Sequence, residues 1–292
     1  MRSFLFVPAD SAKKLDKAMT SGADALIVDL EDSIALEGKM RARASAAAFL
    51  KDAAGTAPRP SILVRINGLQ TGLADADLDA VAPAKPEAIM LPKAEGGVAV
   101  IHAGAKLAVR EALSGLPDDH FKILPIATET AKALFVAGTF AGARARLMGL
   151  TWGAEDLSAE LGAHANRDAQ GHFLDPYRLA RTLCLAGAAA AAVSAIDTVY
   201  VDFRDEQGFR RECEEALRDG FSGKLAIHPA QVPIINEVFT PSPQALARAQ
   251  AIVDAFAKNP GAGVVAIDGV MYDRPHLARA MRLMANGTKA KS

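Results

Sequence analysis

The sequence predicts a (β/α)8 barrel, a TIM barrel, with a C-terminal extension, on three observations. Short apolar runs alternate with segments of helical periodicity, giving eight strand candidates. Alternation of that length fits a closed barrel better than the alternative, an open doubly wound sheet. Nearly all the runs are continuously apolar rather than alternating, as strands are when both faces are covered. The 292 residues suit a barrel of about 250 residues with a segment added.

In chain order the strands are Phe4–Val7, Ala25–Leu30, Ile62–Ile66, Ala88–Leu91, Ile123–Ala127, Leu147–Thr151, Thr198–Phe203 and Leu225–Ile227. Helical periodicity fills Ser11–Ser21, Leu36–Ala53, Leu73–Val81, Val98–Leu113, Thr130–Phe140, Pro176–Ala192 and Gly208–Arg218. Ser11 stands where an N-cap belongs, and Gly22 and Gly220 where helices close on a left-handed residue. Pro229 and Pro233 bracket a short segment after the eighth strand. Pro241-Ser242-Pro243 then breaks the chain before a helix at Gln244–Lys258, an apolar VVAIDGVMYD stretch and a last helix at His276–Met284. The division is therefore a catalytic barrel at 1–238 and an extension at 239–292. An extension with its own apolar strand must pack on its own barrel or on a neighbour's. The tail after Gly287 reads as frayed.

Composition narrows the function. Half the residues are hydrophobic, only 5% are aromatic and the net charge is −1, so no nucleic-acid partner is expected. The basic cluster Lys39-Met40-Arg41-Ala42-Arg43 reads as a solvated helix face. Cys184 and Cys213 lack metal-type spacing and suggest no disulfide framework, which fits a cytoplasmic protein. No signal peptide or membrane span is expected; the apolar run Leu183–Ile196 is too short to cross a bilayer and reads as a buried helix. No glycine-rich phosphate loop, serine elbow or HExxH motif is present.

The strand ends carry the chemistry. The second ends in Asp29-Leu30-Glu31-Asp32, the third in Arg65-Ile66-Asn67-Gly68, the fourth in Pro92-Lys93 and the fifth in Glu129. Glu155-Asp156 follows the sixth, Asp202-Phe203-Arg204 the seventh and His228-Pro229 the eighth. The carboxyl ends of parallel strands share one rim, the usual address of a barrel active site. Successive strands place Glu129 and Asp156, 27 positions apart, within reach of one ion. Oxygen donors without cysteine or a histidine cluster select Mg2+, or Mn2+, over zinc. Arg65 could hold a substrate carboxylate or neutralise an enolate, or could simply pair with Asp29 or Glu31. Glu155 reads as solvent-facing. Lys93 as a Schiff-base nucleophile is redundant beside a metal pair, and His228 reads as a loop-orienting group. Lys13 and Lys17, one turn apart, could hold a phosphorylated ligand or simply form an exposed face.

These residues resemble those of a known family. RSFLFVPA, GADALIVDLEDSI, VRINGLQTGLADADL, IMLPKAE, ATET, GLTWGAEDL, AIDTVYVDFRDEQGF, GFSGKLAIHPAQ, FTPSP and GVMYDRP run through nearly the whole chain in order. Together they resemble the citrate lyase β-subunit-like branch of the HpcH/HpaI aldolase family. The resemblance implies a homotrimer or hexamer that breaks or forms C–C bonds in acyl-CoA thioesters with Mg2+. It implies Glu129 and Asp156 as metal ligands and Arg65 on the substrate carboxylate. Phe6, Lys13, Lys17, Ile227 and His228 fall where relatives contact the CoA-linked substrate. Asp273 matches an acid presented by a neighbouring subunit. The expected reaction splits a malyl-, methylmalyl- or citryl-CoA into an acyl-CoA and an oxo acid. The rivals are a class II aldolase acting on free hydroxy-oxo acids and a non-catalytic barrel subunit.

Overall fold

The computed structural model describes residues 1–289. Eight parallel strands form the barrel: β1 (Ser3–Pro8), β2 (Ala25–Asp29), β3 (Ser61–Arg65), β4 (Ala88–Leu91), β5 (Lys122–Pro125), β6 (Gly149–Leu150), β7 (Ser194–Asp197) and β8 (Gly223–Ala226). Their order is β5-β4-β3-β2-β1-β8-β7-β6, and parallel bridges Ile123–Leu147 and Ile126–Thr151 join the two ends. The sheet is thereby closed.

Residue parity sorts the two cores. Phe4, Ala25, Ile27, Leu63, Ala88, Met90, Leu124 and Leu225 fill the barrel interior. Their chain neighbours Leu5, Leu26, Val28, Ile62, Val64 and Ile89 pack outward against the helices. Alternate strand residues share a face, so the same parity carries Phe6, Asp29 and Arg65 inward at the carboxyl end. The apolar interior thus gives way to charge at its mouth.

The helices are α1 (Ala12–Ala18), α2 (Lys39–Ala54), α3 (Ala74–Val81), α4 (Gly97–Leu113), α5 (Ala131–Leu134), α6 (Ala154–Glu160), α7 (Asp175–Ala190), α8 (Glu206–Asp219), α9 (Gln231–Val238), α10 (Pro243–Lys258) and α11 (Arg274–Lys289). Gly220 ends α8 in a left-handed conformation, its N–H donating to the carbonyls of Ala216 and Leu217. Ser11 occupies the N-cap of α1, but its side chain makes no capping bond.

Several boundaries differ from expectation. The seventh strand is Ser194–Asp197, and Thr198–Phe203 is loop. A strand ending in a fully buried aspartate does not read as apolar, and the alanine-rich run ahead of it hid the end of α7. That run divides: α7 stops at Ala190, and its last residues form β7. The segment Thr130–Phe140 is not one helix. α5 stops at Leu134 and a 3-10 helix spans Ala137–Arg146, non-helical at Ala143. The segment packs closely on Gly97 at the start of α4, where a Cβ would lie 2.3 Å from the Thr139 carbonyl oxygen. Lys39 and Arg43 do not lie on a solvated face. Lys39 is buried, and Arg43 Nε binds Asp77 at 2.7 Å.

Phe239 belongs to the barrel core, and Arg2 donates to the Thr240 hydroxyl at 2.7 Å. Beyond the Pro241–Pro243 break, α10, α11 and a hairpin of β9 (Val264–Ile267) and β10 (Val270–Asp273) enclose a separate core of Ala249, Ile252, Phe256, Val265, Tyr272 and Ala280. The hairpin turns on Asp268-Gly269 with φ of 50° and 77°, the left-handed pair of a type I′ turn. Of the tail expected to fray, Thr288 and Lys289 continue α11, and residues 290–292 lie outside the described residues. Among the described residues no helix is long and apolar enough to cross a membrane.

Candidate active site

Strand register builds the first part of the site. Asp29 and Arg65 are direct partners across β2 and β3. Arg65 therefore grips Asp29 at two points, Nε to Oδ1 and Nη2 to Oδ2, both at 2.7 Å. Burial works against the charge on Asp29, but the fork of Arg65 outweighs it and holds the carboxyl below its usual range. The third nitrogen, Nη1, lies 3.0 Å from Glu31 Oε2. Arg65 also sits 4.8 Å over the Phe6 ring. The structural reading of Arg65 holds, since it partners Asp29 and Glu31, and the residue also lines the cavity.

The loop after β2 is pinned from beneath. The Lys39 ammonium donates to the carbonyls of Leu30 and Glu31, both at 2.7 Å. Asp77 accepts from the backbone and side chain of Asn67, each at 2.7 Å, which fixes the loop after β3. Glu31 itself binds the Lys93 ammonium at 2.6 Å. Burial nevertheless pushes its carboxyl up to about 7.

The seam between β5 and β6 supplies the other half. Glu129 is buried and accepts the Lys93 backbone N–H on Oε2 at 2.6 Å. Burial, with Asp156 nearby, pushes it up to about 8. Asp156, in the first turn of α6, lies 3.1 Å from the Lys93 ammonium through Oδ1. Gly153 makes the approach feasible: a Cβ there would fall 2.8 Å from Glu129 Cγ. Lys93 is held protonated by Glu31 despite its partial burial, the reverse of what a Schiff-base lysine requires.

Asp29, Asp32, Arg65, Glu129 and Asp156 border a cavity of about 350 Å³ whose floor is Phe6, Ile126, Val199 and Leu225. Ile227 lines its edge. His228 stacks on Phe203 at 4.6 Å and accepts the Ala230 N–H on Nδ1, so it orients the loop. Glu155 is exposed at the rim and binds Asn166. Lys13 and Lys17 are exposed on α1, away from the cavity lining. Asp273 does not line the cavity of its own chain; it sits half-exposed on β10, paired with His276. Because β7 ends at Asp197, its rim residues are Thr198 and Val199 rather than Asp202-Phe203-Arg204. Lys39, Gly153 and Trp152 escaped the sequence reading. Only the lysine left a signal, as a charge three residues before the buried Ala42 and eight after Glu31.

Charge at the mouth is lopsided. Asp29, Glu31, Asp32, Glu129 and Asp156 gather about the cations Arg65, Lys93 and Lys39, with the exposed Glu155 beside them. Glu129 and Asp156 offer oxygen alone, a donor set suited to a hard cation. Among the described residues no group of three or more His, Cys, Asp or Glu is placed to hold a metal by itself. A pair of carboxylates fits Mg2+, which keeps waters and leaves positions for a substrate. The two cysteines are buried and free, and burial pushes Cys213 up to about 12, so neither is a ready nucleophile.

Similar proteins can now be set beside this geometry. A model of the HpcH/HpaI aldolase/citrate lyase family matches residues 2–229. A (3S)-malyl-CoA thioesterase of Cereibacter sphaeroides is 38% identical over 294 residues, covering 97% of this chain and 93% of the relative. The mitochondrial citramalyl-CoA lyase of Rattus norvegicus is 34% identical, covering 99% and 87%. The solved structure of CitE from Mycobacterium tuberculosis, in complex with magnesium, acetoacetate and coenzyme A, matches with a TM-score of 0.77 and 34% identity over 98% of each chain.

Proposed function

The chain belongs to the HpcH/HpaI aldolase/citrate lyase family, and from that premise we propose that it is a Mg2+-dependent lyase of 3-hydroxyacyl-CoA thioesters. Malyl-, methylmalyl-, citramalyl- or citryl-CoA is cleaved to acetyl- or propionyl-CoA and an oxo acid, or formed in reverse. The observation that carries this reading is the surplus of carboxylates at the barrel mouth, with Glu129 and Asp156 lining one cavity and both contacted by Lys93. A divalent cation held there, Mg2+ or Mn2+, supplies Lewis-acid polarisation of the oxo-acid oxygens.

The chain's own residues do the rest. Arg65, locked by Asp29, presents a fixed positive edge to the enolate that develops on the thioester. The apolar floor of Phe6, Ile126, Val199 and Leu225 keeps water from beneath the breaking bond. Ile227 and His228 border the thioester arm, and Lys13 and Lys17 meet its phosphates. Asp273 of a neighbouring copy in a trimer or hexamer moves the proton. Mixing inactive Asp273→Ala and Arg65→Ala chains restores activity if the site is shared, and no rescue rejects that sharing.

The deciding experiment is turnover of the acyl-CoA panel with and without EDTA. Acetyl- or propionyl-CoA appears with an oxo acid only when metal is present. Undiminished cleavage in EDTA rejects the reading. A second reading, thioester hydrolysis, is favoured by the thioesterase relative. It is recognised by release of free CoA and the hydroxy acid.

A further inference from the structure

Lys93 touches both candidate metal ligands at once. Its backbone N–H donates to Glu129 Oε2 at 2.6 Å, and its ammonium lies 3.1 Å from Asp156 Oδ1. Glu129 follows β5 and Asp156 follows β6, so one residue from the loop after β4 ties together two elements that close the barrel. The backbone at Lys93 is left-handed, with φ of 50°, a conformation that a lysine adopts only where its surroundings hold it.

The charge of that ammonium is met elsewhere, by Glu31 Oε1 at 2.6 Å. Lys93 is thus anchored on Glu31 and reaches Asp156 as a second ion-pair partner. Each contact is to one oxygen of its carboxylate, Glu129 Oε2 and Asp156 Oδ1, and both residues line the cavity.

We propose that Lys93 is a positioning residue of the metal centre, setting Glu129 with its main chain and Asp156 with its side chain. The inference rests on the metal reading above and adds what fixes the two ligands. Groups that orient metal ligands from behind are commonly worth about 10–100-fold in metal affinity.

The test is Mn2+ affinity of the full-length chain, read by electron paramagnetic resonance of the free ion, for the wild type, Asp156→Asn, Lys93→Met and Lys93→Gly. Glycine keeps the N–H to Glu129 and suits a positive φ, so that variant removes the ammonium without asking the backbone to move. Circular dichroism and thermal unfolding in chelator report whether each variant is folded. The expected result is Mn2+ binding weakened about 10–100-fold in folded Lys93→Gly and Lys93→Met. Wild-type binding, lost in Asp156→Asn but unchanged or tighter in Lys93→Gly, overturns the positioning role while sparing the metal centre. Failure of the wild type to bind, or equal binding by Asp156→Asn, overturns the metal reading and this inference with it.

Discussion

Two of the barrel's clusters of ionised side chains differ in balance. In the balanced one, Asp197 accepts from Lys224 at 2.9 Å, from Arg181 at 3.1 Å and from the Trp152 indole at 2.7 Å. Lys224 also binds Glu212 at 2.8 Å, Glu212 binds Arg167, and Arg181 binds Asp219. Acids and bases alternate there, and the Asp197 and Lys224 side chains are fully buried. At the mouth the acids outnumber the bases and the cavity stays open to a ligand. Buried charges persist where each has a partner. A cluster that lacks partners has room for an added charge, and under the proposed function that charge is a cation.

Substitution separates the two. Asp197→Asn leaves Lys224 and Arg181 short of a counter-charge and is expected to cost about 3–5 kcal/mol in urea unfolding. Glu129→Gln replaces a carboxyl whose ionised form burial and Asp156 disfavour, and is expected to leave stability in chelator equal or higher. A comparable loss in both variants would erase the distinction.

The pH dependence should carry opposite signs. Burial raises Asp197, but Lys224 and Arg181 outweigh it and depress its folded pKa. Its contribution is therefore present above the ordinary carboxylate range and lost as pH falls through the folded value. Burial raises Glu31 to about 7 and Glu129 to about 8. In chelator the folded state then binds more protons at these sites, so stability drains away as pH rises from the ordinary glutamate range toward 8. Saturating Mg2+ flattens that slope in the wild type and not in Asp156→Asn. A slope indifferent to Mg2+ would contradict the open-cluster account.

The smallest effect belongs to the periphery. Replacing Lys13 and Lys17 together by Ala should raise KM for the CoA thioester a few-fold, more at low salt, with kcat unchanged. A fall in kcat would place them closer to the chemistry than the exposed face of α1 allows.

Much of the site was legible because strand ends are marked by a change from apolar to charged residues. Parity then turned Asp29 and Arg65 inward. Glu129 and Asp156 emerged from the same logic, together with a resemblance that runs through nearly the whole sequence. The losses have a common cause, pairing over distance. Asp197 broke the apolar signal of β7 because its partner Lys224 lies on another strand. Lys39 looked solvated because its acceptors are backbone carbonyls, which every residue has. Gly153 serves by lacking atoms, and Lys93 acts partly through its own N–H, so neither leaves a side-chain signature. The Leu183–Ile196 run concealed a helix end because its apolar residues continue from α7 into β7 without a proline to mark the break.

Anomalous diffraction from crystals soaked in Mn2+ tests the central claim most directly. The account predicts one strong peak between the Glu129 and Asp156 carboxylates, at about 2.0–2.2 Å from an oxygen of each, absent in Asp156→Asn crystals. A clean map at that position, or a peak held by other residues, would contradict it.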